Sequence, residues 1–144
     1  QSYYLTKEFP NSKFLFLKDL KKYKEKIFNM NFDFLILPFW EIEKIPSNYI
    51  NLIINIRSMM EMTKDMINFY FENINRTIKD NGYFVCINRY EKNNIKLREY
   101  PFDLYWKIIF SETSKIQKHI HQLVLQRQKK ENTLSIGKAL SGFN

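Results

Sequence analysis

Glycine is scarce in this chain of 144 residues: only Gly82, Gly137 and Gly142 occur. A phosphate-cradling loop needs several closely spaced glycines, so no P-loop or dinucleotide-binding fingerprint can lie before residue 82. Cysteine is scarcer still. The single Cys86 excludes a disulfide within the chain and points to a reducing, cytoplasmic setting. It stands in the apolar run YFVCIN, where a free thiol is expected to be a small buried hydrophobe. No apolar run reaches the roughly 20 residues of a membrane-spanning helix, and no signal peptide opens the sequence. The first residue is Gln1 rather than an initiator methionine, so the natural start is expected upstream. Histidine is limited to His119 and His121, which alternate on one predicted strand and so share a face. No nearby Cys or carboxylate completes a metal site around them. They read as ordinary strand histidines, and one could serve as a base only where that face lines a cleft.

What the chain does have is apolar bulk. Hydrophobic residues make up 44% and aromatics 17%, enough to build a core and to exclude a disordered chain. One domain is the default at this length, expected over residues 1–130 with a loose tail at 131–144. Lys and Arg number 23 against 15 acidic residues, a formal charge of +8. That excess could serve nucleic acid or acidic lipid head groups. The basic residues do not form one stripe, however, and the densest group, KDLKKYKEK, is interleaved with acids. A solvated surface is the better reading, and nucleic acid is not an expected partner.

The order of elements follows from periodicity and punctuation. QSYYLTKEF ends a helix that Pro10 stops. KFLFL (13–17) and FDFLILPFW (32–40) are predicted strands flanking a helical KDLKKYKEKIFNM (18–30), with Pro38 at a strand end. YINLIINI (49–56) runs apolar almost without alternation, as expected for a parallel strand covered on both faces. Residues 63–79 form the clearest helix, with Thr63 as its cap and Ile67, Tyr70, Phe71, Ile74 and Ile78 on one face. DNG (80–82) is the expected stop, with Gly82 in a left-handed cap, before the strand YFVCIN (83–88). This makes a parallel strand–helix–strand unit. EKNN is a loop, and LYWKIIF (104–110) pairs antiparallel with HIHQLVLQR (119–127) as a hairpin.

Five segments, QSYYLTKEFP, LIIN, SMMEM, FYF and INRY, occur in the order and spacing seen in bacterial sugar O-methyltransferases, which the chain resembles over roughly residues 1–128. These belong to the class I S-adenosylmethionine-dependent methyltransferases, whose mainly parallel sheet carries an antiparallel hairpin made by its last two strands. The resemblance implies an α/β, Rossmann-like fold with a mainly parallel sheet, helices and a terminal strand 6/7 hairpin. FDFLILPFWEIEKIP would be the third strand and its loop, and DNGYFVCIN would lead into the fifth strand. The family's glycine-rich loop and the acidic residue of its second strand would precede Gln1. The chain therefore resembles the C-terminal portion of such an enzyme, with the first cofactor-binding strands missing.

The resemblance implies S-adenosylmethionine as methyl donor and a sugar or glycoconjugate hydroxyl as acceptor. Open α/β sheets hold ligands at the carboxyl ends of their strands. There Phe39 and Trp40 would meet the adenine, Asn55, Ile56 and Arg57 the cofactor, and Asn88 and Arg89 the acceptor's hydroxyls. Ser58 and Glu61 are the catalytic candidates, Glu61 as the base that takes the acceptor's proton. Plainer roles stand beside these. Ser58 and Glu61 could cap the next helix or pair with Arg57, Phe39 and Trp40 could simply pack, and Asn88 and Arg89 could be solvated turn residues. Met59, Met60 and Met62 are expected in the core rather than in a cofactor pocket. The alternative from another class is a non-catalytic basic α/β module that binds a protein partner or nucleic acid.

Overall fold

The computed structural model describes residues 2–129, so the tail expected from residue 131 lies outside the described residues. The chain divides into two compact units, residues 1–46 and 47–144.

In the first unit, helix α1 (Ser2–Glu8) is followed by strand β1 (Phe14–Phe16), helix α2 (Leu17–Tyr23) and strand β2 (Phe34–Ile36). β1 and β2 pair in parallel and only with each other. Phe14 stacks on Phe34 at 4.8 Å across the pair, and Asp33 accepts a 2.7 Å hydrogen bond from the Lys13 N–H. Asp19, in the first turn of α2, accepts the Phe16 N–H at 2.9 Å and so ties the helix start back to the strand. The expected helix over 18–30 ends early, because Lys24 turns left-handed (φ 50°) and the chain continues as a 3₁₀ segment to Asn29. There Ile27 and Phe28 enter the unit's core. The strand expected to reach Trp40 stops at Ile36, and Pro38 introduces a second 3₁₀ segment, Phe39–Lys44.

The second unit is built around strand β3 (Ile50–Ile56), helix α3 (Lys64–Thr77) and strand β4 (Ile78–Arg89). A tiny hairpin of β5 (Glu91–Lys92) and β6 (Ile95–Lys96) comes next, then β7 (Trp106–Thr113) and β8 (Ile120–Arg127). Its four-stranded sheet has the order β3-β4-β8-β7. β3 and β4 are parallel, while the β4–β8 and β7–β8 pairs are antiparallel. This corrects the expected mainly parallel, Rossmann-like sheet. A parallel neighbour needs a crossover connection, and in this sheet only α3 supplies one. The two strands counted toward a larger sheet, β1 and β2, form a pair of their own. The terminal hairpin and the strand–helix–strand unit do form as expected.

Helix α3 starts as its sequence requires: the Thr63 hydroxyl accepts the Met66 N–H at 3.4 Å. Its buried face holds Ile67, Phe71 and Ile74. Phe71 meets Phe84 of β4 edge to face at 5.8 Å, and Phe84 leans on Trp106 at 6.0 Å. The Trp106 indole donates to Asn75 at 2.9 Å, which satisfies its one polar atom. The helix stops at Thr77, where Asn48 and Tyr49 donate their N–H groups to the carbonyls of Arg76 and Thr77. Asn81, not Gly82, takes the left-handed conformation (φ 63°). Gly82 is needed for a different reason: a Cβ there would lie 2.9 Å from Ile78 Cγ1 and 3.0 Å from the Asn51 carbonyl. The ladder jumps at this point, from the pair Ile50–Ile78 to the pair Leu52–Tyr83.

The expectation that β3 is covered on both faces also fails. Leu52, Ile54 and Ile56 are 49%, 57% and 56% exposed. They point to one face of the sheet, while α3 and its aromatic neighbours pack on the other. EKNN, expected as a loop, is strand β5 (Glu91–Lys92) followed by the Asn93–Asn94 turn of the β5–β6 hairpin. Asn93 and Asn94 both adopt positive φ, the requirement of a tight two-residue hairpin turn. Among the described residues no helix is long and apolar enough to cross a membrane.

Candidate functional site

Two segments about thirty residues apart in sequence meet at the carboxyl ends of β3 and β4. β3 runs out at Ile56, and the Arg57 N–H extends the ladder one step to the Ile87 carbonyl at 2.7 Å. Arg57 then turns left-handed (φ 57°), which swings the chain out of the sheet. A 3₁₀ turn, Met59–Glu61, leads to the start of α3. The first N–H groups of such a turn have no partner within it. Two asparagine side chains supply the acceptors. Asn55 Oδ1 accepts from Met59 N at 3.2 Å, and Asn88 Oδ1 accepts from Met60 N at 3.2 Å. Asn88 Nδ2 donates to Asn55 Oδ1 at 3.1 Å and lies 3.1 Å from Cys86 Sγ. Asn55 Nδ2 donates to Ser58 Oγ at 2.6 Å. Finally, the Arg89 N–H approaches the Met60 thioether at 3.4 Å. Asn88 is fully buried, so its bonds to Met60 and Asn55 take the place of water that does not reach it.

The cluster therefore unites Asn55, Ser58 and Asn88 by direct hydrogen bonds, with Arg57 and Glu61 in the same turn and Arg89 beside them on β4. The amides of Asn55 and Asn88 are engaged in shaping the turn. Ser58 is exposed, and its Oγ accepts from Asn55, leaving its own hydrogen able to donate. Glu61 is ion-paired with Lys92 of the β5–β6 hairpin. The Arg57 guanidinium donates to Gln117 Oε1 at 3.2 Å. Ile56 is on the exposed face of β3. Met59 is buried, as expected for core. Phe39 and Trp40 belong to the first unit, in the 3₁₀ segment rather than at a strand end. Both are exposed and touch edge to face at 5.3 Å.

Burial pushes the Cys86 thiol up to about 12, against a weaker opposing pull from the Asn88 hydrogen bond, so it remains a neutral thiol rather than a nucleophile. His121 lines a small cavity with Tyr90, Leu97, Phe102 and Ser111, of about 30 Å³, room for about two waters. Its Nε2 is 2.8 Å from Ser111 Oγ, and burial lowers its pKa, which keeps the ring neutral. His119 is exposed ahead of β8 and contributes its carbonyl to Tyr90 N–H at 3.1 Å. Among the described residues no group of three or more His, Cys, Asp or Glu could hold a metal ion.

Sequence reasoning missed Lys92 and Gln117, the two residues that reach into the cluster from other elements. The paired asparagines of EKNN could have marked a hairpin that brings Lys92 back toward the strand end. Nothing in the sequence places Gln117. No family model and no curated protein sequence matches this chain.

Proposed function

We propose that this chain supplies the acceptor side of an S-adenosylmethionine-dependent O-methyltransferase that acts on a sugar hydroxyl. The observation carrying this reading is the Asn55–Asn88 hydrogen bond. It joins LIIN to INRY, and the Met60 N–H, donated to the same Asn88, adds SMMEM, so that the stretches on which the resemblance chiefly rests form one cluster at a strand end. The hairpin that follows β4 in antiparallel pairing also agrees with the resemblance, although the mainly parallel sheet does not form.

The described residues do not by themselves make a cradle for the donor. They contain one glycine, Gly82, and it is packed against Ile78 rather than facing a ligand. The Asn55 amide, expected to touch the cofactor, is engaged by the turn. Phe39 and Trp40, expected to meet the adenine, belong to the first unit and are exposed there. The bound donor would supply an electrophilic methyl group; its glycine-rich cradle is expected from chain outside this sequence.

On the acceptor side the residues have separable roles. Asn55 and Asn88 hold the Met59–Glu61 turn in place. The Ser58 hydroxyl, oriented by Asn55, donates to an acceptor oxygen. Glu61 takes the hydroxyl proton once the acceptor displaces Lys92, whose ammonium then pairs with the acceptor. Orientation and exclusion of water account for the rest of the rate.

Titration calorimetry with S-adenosylhomocysteine, on the protein at its full natural length, tests the donor; absence of heat removes it. Turnover by Glu61→Gln is expected to fall about 100-fold or more, the contribution of a positioned base. Unchanged turnover would strike Glu61 from the mechanism. A second reading, the non-catalytic module, draws on the exposed apolar face of β3, and such a module would bind its partner without any response to the donor.

A further inference from the structure

Arg89 is a cation with an unspent donor. Its Nε is buried and has no hydrogen-bond partner, and no ion pair forms at its guanidinium among the described residues. Burying a guanidinium donor unpaired is costly, so such an atom requires an explanation. Its surroundings supply one. Arg89 is the last residue of β4, opposite Ile120 of β8. Arg57 leaves the end of β3, on the other side of β4, and reaches Gln117 in the loop that precedes β8. That path crosses two strand spacings, roughly 10 Å, and carries the Arg57 guanidinium across the end of the strand that holds Arg89. Gln117 is neutral, so Arg57 too keeps its full charge. Glu61, the acid of the same turn, is already neutralised by Lys92. The loop at 114–119 adds exposed Lys115 and Lys118. This strand end thus gathers fixed positive charge, and among the described residues no carboxylate forms an ion pair with Arg57 or Arg89.

We propose that Arg89, with Arg57, forms an anion subsite at the carboxyl ends of β3 and β4, and that the sugar bound there carries a carboxylate or a phosphate. This rests on the reading of that strand end as the acceptor side. A planar guanidinium fork matches either anion bidentately, and the Nε of Arg89 is one tine of that fork. Neutral sugars leave it unpaired and are disfavoured for the same reason that a buried polar group without a partner is costly.

The test is binding, measured without donor, so it stands apart from the calorimetry on S-adenosylhomocysteine. The full chain is titrated with glucose, glucuronate and glucose 6-phosphate at constant ionic strength. At least one anionic sugar is expected to bind about tenfold more tightly than glucose or better. Preference for glucuronate assigns a carboxylate, and preference for glucose 6-phosphate assigns a phosphate. Arg89→Met, which keeps an apolar stem, is expected to abolish the preference, and Lys107→Met on β7 is expected to leave it intact. Arg89→Lys keeps the charge without the fork and should lose most of the preference; it decides the matter if the Met variant does not fold. Equal binding of all three sugars, no binding of either anionic sugar, a preference that survives at Arg89, or one equally lost in Lys107→Met overturns the proposal.

Discussion

The two faces of the β3-β4-β8-β7 sheet are made by the same strands and have opposite fates. On one face Phe84 and Cys86 are buried with α3 and Trp106, and Asn88 is buried under the Met59–Glu61 turn. On the other, Leu52, Ile54 and Ile56 stand exposed beside half-buried Val85 and Ile87. Asn88 apart, both sets are apolar in sequence, so residue type does not distinguish them. What distinguishes them is the side on which α3 crosses over. A continuous apolar run shows that both faces of a strand can be covered, not that the chain at hand covers them.

Three substitutions sharpen or break this contrast. The largest effect is expected from Phe84→Ala, which empties the centre of the aromatic cluster and should cost about 3–5 kcal/mol in urea unfolding. Asn88→Ala comes next, at about 1–3 kcal/mol, because Met60 N and Asn55 lose buried partners. Its signature should be local, with amide exchange rising at Met59 and Met60 more than in α3. The smallest effect is expected from Ile54→Thr on the open face, below about 0.5 kcal/mol. If Ile54→Thr costs as much as Asn88→Ala, the face is covered in solution and the contrast between the two sides collapses.

Legibility followed the range of the interaction. Helix α3 could be placed from its cap and its apolar spacing, because both are local. The β7–β8 hairpin was legible because no helix-length segment separates its strands. The choice of partner for β1 and β2 is a long-range matter, and periodicity carries no information about it. Gly82 shows a subtler failure. Its sequence neighbours suggested a left-handed cap, whereas the real constraint is close approach, by the Lys79 carbonyl within the same strand and by the Asn51 carbonyl across the sheet. At the strand end, Asn55, Ser58 and Asn88 could be singled out as polar residues after apolar runs. That their amides would clasp one another, and leave Arg89 as the unspent donor, depends on the β3–β4 register.

Strand β3 is also the outermost strand of its sheet, with one row of backbone N–H and C=O groups facing no other strand among the described residues. Its sequence, INLIINI, contains no charge and no proline. Lysines, prolines and bulges are the usual guards that keep such an edge from recruiting a strand from a neighbouring molecule, and the interior of β3 has no such residue. Among the described residues this edge is therefore left open, and it is where a strand of a neighbouring molecule would add at high concentration.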